Sequence, residues 1–274
     1  MGSTPDTKVI PSNPLATAQT DLIPLEITPA VLVNEPAGSA TPLPGPPQIS
    51  NLAALVHSER FAPFLSKSSG NVAEAMNLYA WNIEISAAFW GVYHMFEITY
   101  RNAIHQQLEV HTGISDWWNS SLRPKIHQSE LDTIDRAIAD ASKNHANPQT
   151  LITAPAFTAG HIVAELSLGF WVILLANKYH ASLWTGNLEK SFPLYTGKRN
   201  DLHKNLVRLT RLRNRIAHHE PVIDRDLNVD QMYLLAVINY IDPNVRQWVD
   251  LHSRVNSVLA NKVNKLNGTL RSSF

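Results

Sequence analysis

The chain has 274 residues, 44% of them hydrophobic and 17% charged, with 23 basic and 23 acidic side chains and a formal net charge of zero. That is enough apolar material for one sizeable helical domain plus an accessory region, and the absence of cysteine excludes a disulfide framework or a thiolate metal centre. Lys8 is the only basic residue in the first 50 and no apolar core follows it, so this stretch does not read as a signal peptide and a cytoplasmic protein without a membrane partner is expected.

Residues 1–50 hold 10 of the 17 prolines, with Pro42, Pro44, Pro46 and Pro47 clustered at the end. Such a segment buries too little apolar surface to offset its ordering entropy, so it reads as a disordered Pro-rich tail or linker, or as a docking peptide. Residues 51–270 read as one helical domain. Asn71 with Glu74 three positions later has the form of a capping box that opens a long helix, and Gly113 is suited to stop it. A polar helix over Pro124 to Ser142 and a loop over Pro148 to Pro155 follow. Leu166 to Asn177 is a run of 12 uncharged residues. It falls short of the roughly 18 needed for a membrane span and reads as a buried core helix, with Trp171 and Leu175 packing inward.

From about Arg199 to His219, Leu202, Leu206, Leu209, Leu212 and Ile216 recur at three- and four-residue spacing, the signature of an amphipathic helix. Lys204, Arg208, Arg211 and Arg215 fall on the opposite side as a basic stripe. Arg213 sits inside the leucine arc, about 20° from Leu202, where a guanidinium is costly unless it is paired or lines a cavity. Pro221 disfavours helical geometry at Glu220, so the helix ends near His218 or His219. Asp242 and Pro243 then suit the N-cap and first turn of a last helix reaching about Leu266. No stretch alternates with period two for long enough to claim a sheet, so the expected fold class is all-α, a helical bundle without internal repeats.

Arg213 to Glu220 reads R-N-R-I-A-H-H-E, which contains the pattern R-N-x-x-x-H. An arginine fork holds a phosphodiester through two parallel hydrogen bonds. A histidine takes a proton from a ribose 2′-hydroxyl or gives one to the leaving oxygen. Asn214 and His218 share a helix face, so the amide could orient the ring. Arg213 and His218 are about 140° apart on an ideal helix, so one copy does not readily converge on one phosphate, whereas two copies across a two-fold axis could. A plain structural reading stands beside this one. A helix that ends in cationic side chains complements its own dipole, and Arg213 could pair with Glu84, Glu97 or Glu165.

Three stretches extend the pattern. Tyr79 to Trp90 reads Y-A-W-N-I-E-I-S-A-A-F-W, and Phe96 to His105 reads F-E-I-T-Y-R-N-A-I-H. From Gly160 the chain reads G-H-I-V-A-E-L-S-L-G-F-W-V and closes with Leu183–Trp184 and Phe192–Pro193. In this order, over roughly Leu52 to Leu266, the chain resembles the Abi-like abortive-infection proteins of bacteria, a family within the HEPN superfamily. The resemblance implies a HEPN-like bundle acting as a metal-independent endoribonuclease in a toxin or phage-defence system, with a composite site in a homodimer. Carried onto this sequence, it gives Arg213 the scissile phosphate, His218 the general acid or base role, Asn214 its orientation and His219 an assisting role. No cofactor or metal is implied. The partners would be RNA (tRNA or mRNA) and an antitoxin or phage-derived trigger. The alternative is a non-catalytic RNA-binding or protein-interaction module on the same scaffold.

Two further clusters bear on the site. Arg101, Asn102 and His105 form a second R-N-x-x-H, in which Arg101 could pair with Glu97 one turn earlier and Glu97, Arg101 and Asn102 would support the main motif. His161 and Glu165 are also one turn apart but lack a third metal ligand of suitable spacing. Outside residues 1–50 the chain holds 22 basic and 19 acidic side chains, and Lys198 to Arg215 carries seven basic residues against one acid. Lys204, Arg208, Arg211 and Arg215 are therefore the candidate RNA-backbone contacts, with a solvated helix face as the plainer reading.

Overall fold

The computed structural model describes residue 56, residues 58–145 and residues 157–274. The Pro-rich residues 1–50 and the expected loop at 148–155 lie outside the described residues. Every regular element described is helical, so the fold class is all-α. In chain order these are α1 (Ser58–Lys67), α2 (Val72–Thr112), α3 (Gln128–His145), α4 (Ala159–Glu165), α5 (Leu168–Ile173), α6 (Arg199–Ala217), α7 (Leu227–Ile241), α8 (Pro243–His252), α9 (Val255–Ala260) and α10 (Lys262–Leu266), with short 3-10 and π turns between them.

The spine is α2, a helix of 41 residues. Asn71 caps it by accepting from the amides of Ala73 and Glu74, while its own amide donates to Glu74 Oε1 at 3.0 Å. Gly113 ends it in the left-handed region at φ 75°, a conformation open to glycine at little cost. The spine is apolar nearly all round because α1, α5, α6, α7, α9 and α10 all pack on it. Aromatic residues supply the apolar bulk, and their polar tips tie the layers together: Trp81 donates to Val258 O, Tyr93 to Leu209 O and Tyr100 to Trp171 O. Glu84, buried in the same layer, meets the ammonium of Lys265 at 2.6 Å.

The leucine arc of α6 is buried as its spacing predicts. Leu202, Leu206, Leu209 and Leu212 are fully enclosed, each worth about 1.5–3 kcal/mol relative to exposure. Three expected elements differ from the structure. The helix expected over Pro124 to Ser142 opens as a 3-10 turn at Arg123–Lys125; Ile126 is extended and α3 starts at Gln128. The Leu166–Asn177 run is α-helical only at Leu168–Ile173: extended Ser167 caps Phe170 and starts it late, and a 3-10 turn begins at Asn177, although Trp171 and Leu175 are buried as expected. The last helix is three pieces, broken by extended Ser253 and by a turn at Asn261. Among the described residues no helix is long and apolar enough to cross a membrane.

Candidate functional site

The R-N-x-x-x-H segment forms the end of α6 and the turn after it. His218 is the C-cap, donating its backbone N–H to Asn214 O at 2.9 Å. His219 follows in the left-handed region at φ 56°. Its amide donates to Ile216 O at 3.0 Å and that of Glu220 to Arg215 O at 2.8 Å, the paired hydrogen bonds of a Schellman ending. Two distant residues hold this turn. Arg60 on α1 donates to the carbonyls of His218 and His219, placing a cation at the negative end of the helix. Asn82 of α2, itself buried, accepts from Val222 N–H at 2.8 Å and fixes the chain just past Pro221.

Arg213 has a fixed partner. Its Nε donates to Glu97 Oε1 at 2.8 Å, and its guanidinium lies 5.5 Å from the ring centroid of Trp90. Of the three candidate glutamates, Glu84 is taken by Lys265 and Glu165 accepts from Asn144, which leaves Glu97. The pairing of Glu97 with Arg101 expected from their spacing is not made. Arg101 instead has a buried Nε without a hydrogen-bond partner and, with Glu97, Glu165 and Arg213, borders a cavity of about 250 Å³. Asn102 is exposed, and His105 accepts from Trp117 Nε1 at 3.2 Å, so the second R-N-x-x-H is divided between a cavity wall, solvent and the core.

On its other flank Arg213 opens onto a groove of about 600 Å³ between α2 and α6, lined by Ile83, Ser86, Ala87, Trp90, Arg213, Ile216, Ala217 and His219. The structure thus brings Arg213 and His219 together. His218 and Asn214 are exposed but do not line the groove, and no side-chain hydrogen bond joins them; the contact between the two residues is through the backbone. Trp90 and Arg60 join the site from outside the motif. Trp90 carries little sequence signal: Ser86, Ala87 and His94 on its helix face are small or polar, but Tyr93, equally near, is aromatic. Arg60 carries none, because its role depends on where α1 docks.

The basic stripe divides in two. Lys204 and Arg211 are exposed, Lys204 in a loose contact with Asp201 at 3.8 Å, and Arg215 pairs with Glu220 at 3.3 Å on the surface. Arg208 is paired rather than free. Its Nε donates at 2.6 Å to Asp230, a carboxylate with 0% exposure that also takes two hydrogen bonds from Arg225, while its own side chain stays 38% exposed. Tyr93, whose hydroxyl donates to Leu209 O, feels the charges of both this cluster and the Arg213–Glu97 pair. Burial pushes its hydroxyl well above the usual tyrosine range; Asp230 and Glu97 add to the rise while Arg225 and Arg213 oppose it, so the group stays a neutral donor.

Among the described residues no group of three or more histidine, cysteine or acidic side chains is placed to hold a metal ion; His161 instead closes a capping box with Thr158. Comparison with protein-family models, with curated proteins and with solved structures finds no match to the chain.

Proposed function

We propose that this chain is a HEPN-type, Abi-like endoribonuclease that acts without a metal cofactor in a toxin or phage-defence setting, and that it works as a homodimer. The observation that carries the reading is the meeting of Arg213 and His219 in one open groove beside an exposed aromatic ring. Arg213 binds the scissile phosphate and steadies the charge that develops on it. One histidine removes the proton from the ribose O2′ as the O2′–P bond forms. A second gives a proton to O5′ as the P–O5′ bond breaks, leaving a 2′,3′-cyclic phosphate and a 5′-hydroxyl. His219 is the group beside Arg213. His218, exposed at the helix end, is the other, and it reaches a phosphate most readily across a two-fold axis that brings two α6 ends together.

Purified protein should cleave RNA but not DNA in EDTA, because the 2′-hydroxyl is the nucleophile. His218→Ala should lower that rate by about 10²–10⁴-fold, the usual contribution of a positioned acid or base. Folded His218→Ala that cleaves as fast as wild type removes His218 from the mechanism, and an active monomer by light scattering removes the shared site. A binding-only module is favoured by one observation: Glu97 already neutralises Arg213. That reading predicts RNA binding without cleavage in the same assay.

A further inference from the structure

Trp90 is 45% exposed in the middle of a helix whose neighbouring aromatics, Phe89 and Tyr93, are almost completely buried. Exposure alone does not mark the ring, since Trp248 is 50% exposed as well. The surroundings of Trp90 are those of a binding surface. Small side chains, Ser86 and Ala87, keep the groove open beside it, Ile83 and Ile216 add apolar walls, and Arg213 stands over the indole at 5.5 Å. The rim offers hydrogen-bond donors, with Arg213, paired to Glu97, and His219 at the groove and Arg60 behind the His219 carbonyl. A flat aromatic face next to a guanidinium matches the alternation of base and phosphate along a single strand, in which every base has a face to stack and every linkage has a charge to meet.

We infer that Trp90 is a nucleobase platform: an unpaired base of single-stranded RNA stacks on its indole while Arg213 takes the adjoining phosphate. The inference rests on the reading of this groove as an RNA site and deepens it. It makes the substrate single-stranded at the cut, because a paired base cannot leave its stack for the indole without the cost of unpairing. It also gives Arg213 a second function, since the same guanidinium that meets the phosphate holds the indole in place. Sequence preference at this position is then weak, for stacking accepts any base.

The test uses full-length protein, Trp90→Phe and Trp90→Leu, each checked for folding by circular dichroism. Leucine keeps apolar bulk at the half-exposed position and phenylalanine keeps an aromatic face. The probe is a short single-stranded RNA, fully 2′-O-methylated so that it cannot be cleaved, alongside copies with one abasic position moved along the strand and a duplex of the same sequence. Trp90→Leu should bind the intact strand roughly 5- to 150-fold more weakly than wild type, the range for losing one stacked base. Trp90→Phe should lose much less, one abasic position should reproduce the loss in wild type, and the duplex should bind poorly. Equal affinity of Trp90→Leu and wild type for the intact strand overturns the platform while leaving RNA binding in place. A wild-type dimer that Trp90→Leu dissociates, with RNA affinity per chain unchanged, also overturns it by assigning the ring to a protein contact. Trp90-dependent binding with no cleavage of unmodified RNA leaves the platform standing and defeats the nuclease reading alone. Failure of wild type to bind any of these strands defeats both.

Discussion

Replacing Asp230 by asparagine should unfold more of this protein than any other single polar change around α6. The carboxylate has no exposed surface and answers two guanidiniums through three hydrogen bonds of 2.6, 2.9 and 2.9 Å. Asparagine keeps the volume but removes the charge and turns donors toward donors. Breaking a buried pair by removing one partner typically costs about 3–5 kcal/mol, because the remaining charge is left uncompensated. The two arginines do not share that burden equally. Arg208, at 38% exposure, can rehydrate, whereas Arg225 at 16% cannot, so about 3 kcal/mol is the expected loss. Urea unfolding at constant m measures it. A loss under about 1 kcal/mol would mean that water or another group satisfies both arginines and that Arg208 is free after all. Arg211→Gln is the control: its exposed side chain should change stability by less than about 0.5 kcal/mol, while lowering the salt slope of single-stranded RNA binding by roughly 0.7.

Two further outcomes follow from the same contacts. Glu97→Gln keeps an acceptor near Arg213 but lifts its neutralisation, so RNA affinity should rise and the salt slope should steepen by roughly 0.7; a fall in affinity, measured by salt titration, would make Glu97 a positioning group instead. His105 should lend the fold a weak pH dependence. Burial lowers its pKa, against a smaller opposing effect of Glu109, and its Nδ1 must stay unprotonated to accept from Trp117. Its folded pKa lies below the unfolded value of about 6.5, so its contribution is intact above that pH and is lost as pH falls below it, and a melting-temperature series should show a drop there that His105→Gln removes.

Much of α6 was legible because one physical pattern governs it. Leucine spacing placed its buried face, Pro221 placed its end, and the awkward angle of Arg213 announced a partner or a cavity; the structure supplies both, in Glu97 and the groove. The identity of the partner was not legible, since three glutamates qualified and only the docking of helices distant in sequence removes Glu84 to Lys265 and Glu165 to Asn144. The same limit hid the pairing of Arg208, whose carboxylate lies 22 residues away on another helix. The breaks after α8 and α9 carry no glycine or proline, so local propensity gave no warning of them.

His219 is where helical geometry misleads and strain informs. Angles counted along an ideal helix bring neither histidine to Arg213, His218 lying about 140° away and His219 about 120° the other way, but the left-handed turn at residue 219 ends that count and places His219 in the lining of the groove. Holding a residue with a Cβ in that region costs roughly 1–2 kcal/mol, and glycine would make the same Schellman hydrogen bonds without the strain. His219→Gly should therefore keep or slightly raise stability, by up to about 1 kcal/mol once the looser unfolded chain offsets part of the gain. If the imidazole is at this position for chemistry, the same variant should lose most RNA cleavage in EDTA while binding the uncleavable strand nearly as well as wild type. Thermal melts and cleavage rates on one preparation separate the cases. A clearly destabilised His219→Gly gives the ring a structural role, and a stable variant that cleaves at the wild-type rate removes it from the reaction. Only stability with lost cleavage fits an imidazole held in strain beside Arg213 to move a proton.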